Sequence, residues 1–222
     1  MTRGPEAANT SDMEQQALPF EFDMSTAAFV VIDLQNDFVR PDAPLYVPEA
    51  LGTIEPVNRV GRRFRSKGRP VMFTRFVAGP NESLLWTWSP EIREPVNCCK
   101  LGHTRYYTDI AREAEVVAVV DELERDEKDI VLDKFWYGAF HRTNLEDLLA
   151  AHAADTVVLA GTVTQICVEE TARQAFHHGF KTIVLSDCCS SFAPDLQAAT
   201  LKNLDMKFGA VMTSAEFLEL GR

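Results

Sequence analysis

Short, continuously apolar, β-branched runs constrain this chain more than any other feature. Ala28 to Leu34 (AFVVIDL), Thr156 to Ala160 (TVVLA) and Thr182 to Ser186 (TIVLS) show no polar/apolar alternation. A strand with one wet face alternates, so runs of this kind belong to strands covered on both faces, as in a parallel sheet. Between them lie amphipathic stretches. Ile54, Val57, Val60 and Phe64 fall on one helical face, with Arg59, Arg62, Arg63 and Arg65 around it. Gly68 ends that helix and Pro70 opens a strand over Val71 to Arg75.

The alternation continues towards the C-terminus. Strands are predicted over Ile130 to Asp133 and Ala210 to Met212, and helices over Asn144 to Ala153, Thr164 to His178 and Asp195 to Leu204. Thr213-Ser-Ala-Glu216 reads as a capping box for a terminal helix. From Phe76 to Ala114 no period persists; Gly79, Pro80, Pro90 and Pro95 break the pattern, and Trp86 and Trp88 argue against disorder. A short helix is expected near Val116 to Leu123. Strand–helix alternation requires right-handed crossovers. The expectation is one doubly wound α/β domain, a parallel sheet with helices on both faces, over 27–222, preceded by a flexible arm, 1–26.

Charge narrows the partners. The 222 residues hold 22 Lys+Arg against 33 Asp+Glu, a formal net charge of −11. That balance opposes binding to nucleic acid or an anionic membrane, both of which require clustered cations. No stretch approaches the roughly 20 apolar residues of a membrane span. The N-terminal residues lack the apolar core of a secretory signal, and Cys98, Cys99, Cys167, Cys188 and Cys189 make no disulfide framework. A cytoplasmic location is expected.

In open parallel sheets, ligands bind beyond the carboxyl ends of the strands. Three reactive side chains are predicted there: Asp33 at the end of the first strand, Lys134 after the third, and Cys167 in the first turn of the helix that follows TVVLA. Each has a plain structural alternative: a turn cap, a solvated lysine, a buried inert thiol. Together they form a chemical set. The helix N-terminus and the Lys134 ammonium favour a thiolate, Asp33 can take the thiol proton, and unpaired N–H groups at the helix start can hold an oxyanion.

VVIDLQNDF (Val30 to Phe38), DKFWYGAF (Asp133 to Phe140) and GTVTQICVEETARQAFHHGF (Gly161 to Phe180) resemble the isochorismatase-like cysteine hydrolases, in the order and spacing of that family. The resemblance implies a six-stranded parallel sheet and a triad of Asp33, Lys134 and Cys167. It also implies a non-proline cis peptide at Thr162–Val163, which turns the N–H of Val163 towards an oxyanion also held by the N–H of Cys167. Homo-oligomerisation, as dimer or tetramer, follows from the same resemblance. Metal-dependent nicotinamidase-like members carry Asp-x-His after the second strand; here the sequence is Thr74-Arg75-Phe76-Val77. No metal or other cofactor is therefore expected. The family's Ser after the lysine motif is Gly138 here.

Phe38, Arg75, Trp86, Phe135 and Tyr137 are candidates for substrate binding: Phe135 and Tyr137 flank Lys134, Trp86 sits in the irregular segment, and Arg75 can hold a carboxylate or carbonyl as a bidentate donor. Core packing, or for Arg75 an acidic partner, is the alternative. Gln35 and Asn36 can orient Asp33 or cap the next turn. The activity implied is metal-free hydrolysis of a small amide or ureido compound through a thioester. Its rivals are a vinyl-ether hydrolase using Asp33 alone and a silent binding protein on the same fold.

Overall fold

A computed structural model of the chain describes residues 18–220. The elements in its first half are β1 (Ala27–Ile32), α1 (Asn36–Val39), α2 (Ile54–Ser66), β2 (Val71–Phe76), α3 (Leu85–Trp88), β3 (Thr104–Tyr107) and β4 (Arg112–Glu115). The second half contributes β5 (Ile130–Lys134), α4 (Leu145–Ala151), β6 (Thr156–Thr162), α5 (Glu169–His177), β7 (Lys181–Ser190), α6 (Pro194–Lys207), β8 (Ala210–Met212) and α7 (Ser214–Leu220). Six strands form one parallel sheet in the order β5-β2-β1-β6-β7-β8, and β3 and β4 pair antiparallel outside it. All six residues of β1 and all seven of β6 are buried, as expected of strands covered on both faces.

Alternation along the strands sorts two cores. Phe29 and Val31 face α2 and α7, where the rings of Phe29, Phe64 and Phe217 stack with centroids 5.3 and 5.8 Å apart. Ala28, Val30 and Ile32 face the other way, towards Leu145 and Leu149 of α4, Ala172 and Ala175 of α5 and Leu204 of α6. Ile54, Val57, Val60 and Phe64 of α2 are all buried, as their spacing predicts. The capping box at α7 forms: Glu216 accepts from the N–H of Thr213, and the Thr213 hydroxyl accepts from the N–H of Glu216. Of the expected arm, 1–17 lies outside the described residues, while Phe20, Phe22 and Met24 pack against the first core.

One expectation is corrected. No helix forms over Val116 to Leu123, because those backbone groups are taken by the turn after β1. The carbonyls of Val116 and Ala118 accept from Asp37 and Asn36, the N–H of Val120 donates to Leu34, and Val119 bridges to Gln35. The aperiodic 76–114 segment holds α3 and the β3–β4 pair and folds into a third cluster around Phe38, Phe76, Leu85, Ile92, Cys98, Cys99, Val116 and Val117. That cluster caps the carboxyl edge of β2.

The strand order reverses between β1 and β6, which places the sheet's binding crevice at their carboxyl ends. There the two backbones come very close. Gly161 has φ +120° and pairs with Ile32; a Cβ on it would sit 2.0 Å from the Ile32 carbonyl oxygen. Only glycine allows this approach. Gly161→Ala is expected to abolish folding or cost several kcal/mol, whereas Gly68→Ala, at φ +64° with open space around it, costs about 1 kcal/mol in a urea melt.

Candidate active site

Asp33 lies one residue beyond β1, at φ +50°, a left-handed conformation that Asp tolerates better than most residues. Its carboxylate turns over the sheet edge. Thr74 of β2 donates to Oδ1 at 2.6 Å and accepts from the Asp33 N–H at 3.2 Å, a reciprocal clamp. Oδ2 lies 2.7 Å from Nζ of Lys134, and no side chain or carbonyl of this pair is solvated: both residues are 0% exposed. Lys134 ends β5, two strands away from β1, so its stem spans β2 to reach the carboxylate. On the way the ammonium passes 5.3 Å from the centroid of the Phe76 ring and donates to the Trp136 carbonyl at 3.0 Å. A long unbranched stem with a compact charge suits that crossing.

Cys167 belongs to a π-helical turn, Thr164–Val168, that leads into α5 and follows a cis peptide at Thr162–Val163. π turns recur at functional sites. Thr171 ties the turn down by donating to the Cys167 carbonyl at 2.7 Å. The sulfur interacts with both Lys134 and Asp33. Burial opposes the charge on Lys134, yet the Asp33 carboxylate and the Cys167 sulfur hold its pKa above the usual lysine range. The thiol behaves differently from the sequence expectation. Burial pushes it up to about 12, outweighing the Lys134 ammonium, and the charge of Asp33 pushes the same way. Burial therefore favours the protonated thiol.

The five expected substrate contacts divide. Tyr137 stacks on Phe76 with centroids 6.4 Å apart, and its hydroxyl meets Ser89 Oγ at 3.3 Å. Phe38 packs behind Phe76, and Trp86 lies half-buried at the edge of the same cluster. Arg75 is corrected: alternation along β2 points it to the opposite face from Thr74 and Phe76, where Asp133 takes its guanidinium bidentately at 2.7 and 2.9 Å. Phe135 is corrected too. It follows Lys134 and so turns away, exposed, against Gly79; the ring facing the ammonium is Phe76.

Several neighbours escaped the sequence reading. Thr74 and Phe76 share the Met72 face of β2, so alternation would have marked them. Gln35 does not orient Asp33; it clamps β2 by accepting from the Phe76 N–H and donating to the Phe76 and Val117 carbonyls. Asn36 donates to Glu115 and accepts from Arg40. Gly138 has a reason: a Cβ there would lie 2.3 Å from Oε1 of Gln174, which accepts from the Phe140 N–H. Among the described residues, Asp37, Cys98 and Cys99 form a buried group with metal-ligand reach. Asp37 is already engaged there by Arg105, Tyr107 and the Cys99 N–H, which makes the group a brace for the cap. All five cysteines are free and buried, and no helix among the described residues is long and apolar enough to cross a membrane.

With this geometry in place, relatives give the class. The family model of the isochorismatase domain matches residues 27–216. Maleamate amidohydrolase of Pseudomonas putida is 28% identical over 195 residues, covering 86% of this chain and 85% of its own. Ureidoacrylate amidohydrolase RutB of Methylobacterium radiotolerans is 30% identical, covering 90% and 81%. A cysteine hydrolase from Pseudomonas syringae pv. phaseolicola superposes with a TM-score of 0.81 at 25% identity, over 94% of this chain and 98% of that one. N-carbamoylsarcosine amidase from Thermoplasma acidophilum gives 0.68 at 29%, over 85% and 96%. The chain belongs to the isochorismatase family. Within it, the chain is a hydrolase of the amidohydrolase branch.

Two outcomes test the site. With the thiol held near 12, alkylation by iodoacetamide should be slow at pH 8 and rise about tenfold per pH unit towards pH 11, where a thiol of ordinary pKa would already have reached its plateau. Thr74→Val leaves Asp33 Oδ1 unpaired; it should cost about 1–3 kcal/mol in denaturant melts and at least tenfold in turnover, and Thr74→Ser should restore both.

Proposed function

We propose that this hydrolase cleaves the C–N bond of a small amide or ureido compound through a thioester on Cys167, without a metal. The observation that carries the reading is the convergence of thiol, carboxylate and ammonium at the crevice between β1 and β6. The β2 end supports the metal-free part. Where metal-dependent relatives are expected to carry Asp-x-His, Thr74 here spends its hydroxyl on Asp33.

The chemistry follows from the thiol being protonated at rest. Oδ2 of Asp33 pairs with the ammonium and accepts no hydrogen bond among the described residues, so it keeps a lone pair for the Cys167 proton. As that proton moves, Sγ bonds to the substrate carbonyl carbon, and the N–H groups of Val163 and Cys167 receive the oxyanion. Collapse breaks the C–N bond, and Asp33 returns the proton to the departing ammonia or amine. A water then gives its proton to Asp33 and attacks the thioester; the acid leaves, and Asp33 reprotonates the sulfur. Lys134 balances the carboxylate charge at each stage. Phe76, Tyr137, Phe38 and Trp86 supply an apolar wall. Cys167 is only 5% exposed, so bulk water is largely kept from the sulfur.

The relatives' names point to short amides and ureido compounds bearing a carboxylate as the substrate class. A homo-oligomer, dimer or tetramer, belongs to the same reading: Leu84 and Trp88, beside the site cap, are 70% and 78% exposed, an apolar surface suited to a second copy.

Ammonia release from a panel of maleamate, ureidoacrylate and N-carbamoyl amino acids provides the test. Turnover of one of them should survive chelators and fall by at least a thousandfold in Cys167→Ala. Near-normal turnover by that variant would overturn the thioester route, and loss of activity with chelator would overturn the metal-free one.

A further inference from the structure

Helix α6 carries apolar residues on two faces, and the fold employs one of them. Thr200 and Leu204 are buried, with Gln197 and Leu201 half-buried beside them, on the side that packs against α5, β7 and β8. Thr200 also donates to Glu169 of α5 at 2.9 Å. Leu196, Ala199, Asn203 and Met206 lie elsewhere. Their 3-4-3 spacing, at about 100° per residue, keeps them within an arc of about 80°, roughly 130° round the helix from the buried side. Leu196 and Met206 are 47% and 63% exposed, and Phe192, two residues before the helix, is 56% exposed. None of the three packs into a core cluster. Apolar residues spaced in this way form the seam of a helix pair.

The pattern on either side of Ala199 points to what covers the seam. In an antiparallel pair with its two-fold axis at Ala199, residues equidistant from Ala199 face each other. The exposed Ala199 then meets its own copy, and its small side chain lets the helices approach closely. Phe192 meets the partner's Met206, and Leu196 packs beside the partner's Asn203. Met206 walls a groove of about 460 Å³ with Phe176, Phe180 and Phe208, an apolar seat for an incoming ring. The flanks agree. Asp195 and Lys202 lie on one side of the stripe, and antiparallel pairing sets that side against itself, so each Asp195 faces the partner's Lys202. Both are exposed, and neither has an ion-pair partner among the described residues. A surface that complements itself under a two-fold axis marks an isologous interface.

We propose that α6 is a self-association face: two copies of this chain pair α6 against α6, antiparallel about Ala199, with Phe192 of each seated beside Met206 of the other. The face lies over β7 and β8, whereas Leu84 and Trp88 stand beside the cap over β2. Two distinct isologous faces on one chain close a tetramer, and either alone gives a dimer. The pairing is independent of the thioester reading.

Sedimentation velocity of the full chain over a dilution series tests it. The wild type should be a dimer or tetramer. Ala199→Glu sets two carboxylates against each other on the axis, at an exposed position where glutamate suits a helix. It should halve the mass and weaken association at least a hundredfold, with the far-UV circular dichroism unchanged. Asp195→Lys should weaken association about tenfold, and Asp195→Lys combined with Lys202→Asp should restore it to within about threefold, because the pair is rebuilt with its signs exchanged. A wild type that is monomeric at every concentration, an unchanged mass in Ala199→Glu, or no recovery in the double exchange would overturn the proposal. Should Ala199→Glu misfold, the charge exchange decides alone. Trp88→Asp separates the two faces. It should leave the α6 dimer whole, and a monomer in that variant would overturn the α6 pairing. A mass unchanged by Trp88→Asp removes the cap-side surface from the assembly and leaves the α6 pairing standing.

Discussion

A carboxylate and an ammonium 2.7 Å apart, with neither side chain reaching solvent, are the constraint around which this site is built. Stripping water from two such ions costs several kcal/mol each, and their attraction offsets that only if geometry and further hydrogen bonds are good. The structure supplies both. Thr74 and the Trp136 carbonyl satisfy the outer sides of the pair, and the Phe76 ring lies beneath the charge. β2 thus serves as the floor of an ion pair whose members come from the strands on either side of it.

The pair also decides the state of the nucleophile. In water, an ammonium beside a thiol lowers its pKa. Here burial outweighs the ammonium, and the charge of Asp33 adds to burial, so the protonated thiol is favoured. In the proposed thioester route, a thiol beside a carboxylate couples proton transfer to attack on the carbonyl. The closed cap works in the same direction by keeping the low-dielectric surroundings on which these interactions depend.

That cap is also where reading the sequence was hardest. Phe76 to Ala114 has no hydrophobic period because its residues face neither the sheet nor a single helix partner. Asp37, Arg105, Tyr107 and the Cys98–Cys99 pair join it to the turn after β1 through hydrogen bonds between residues some seventy positions apart. Contacts of that range leave no local pattern. The helix expected at Val116 to Leu123 failed for the same reason: apolar residues at suitable spacing were present, but their backbone groups had already been claimed by Leu34, Asn36 and Asp37.

The alternating apolar runs and amphipathic helices, and with them the places of Asp33 and Lys134 at strand ends and of Cys167 on the helical turn after β6, were legible in the sequence alone, because burial on both faces of a parallel sheet imprints a local, periodic signal. Side-chain direction and protonation were not. Whether Arg75 and Phe135 entered the site depended on which face of a strand each occupied at its last residues. Whether Cys167 was charged depended on how completely water was excluded and on the opposing charges of Lys134 and Asp33 beside it. Those are properties of three-dimensional neighbours, and only the assembled sheet, helix and cap set them.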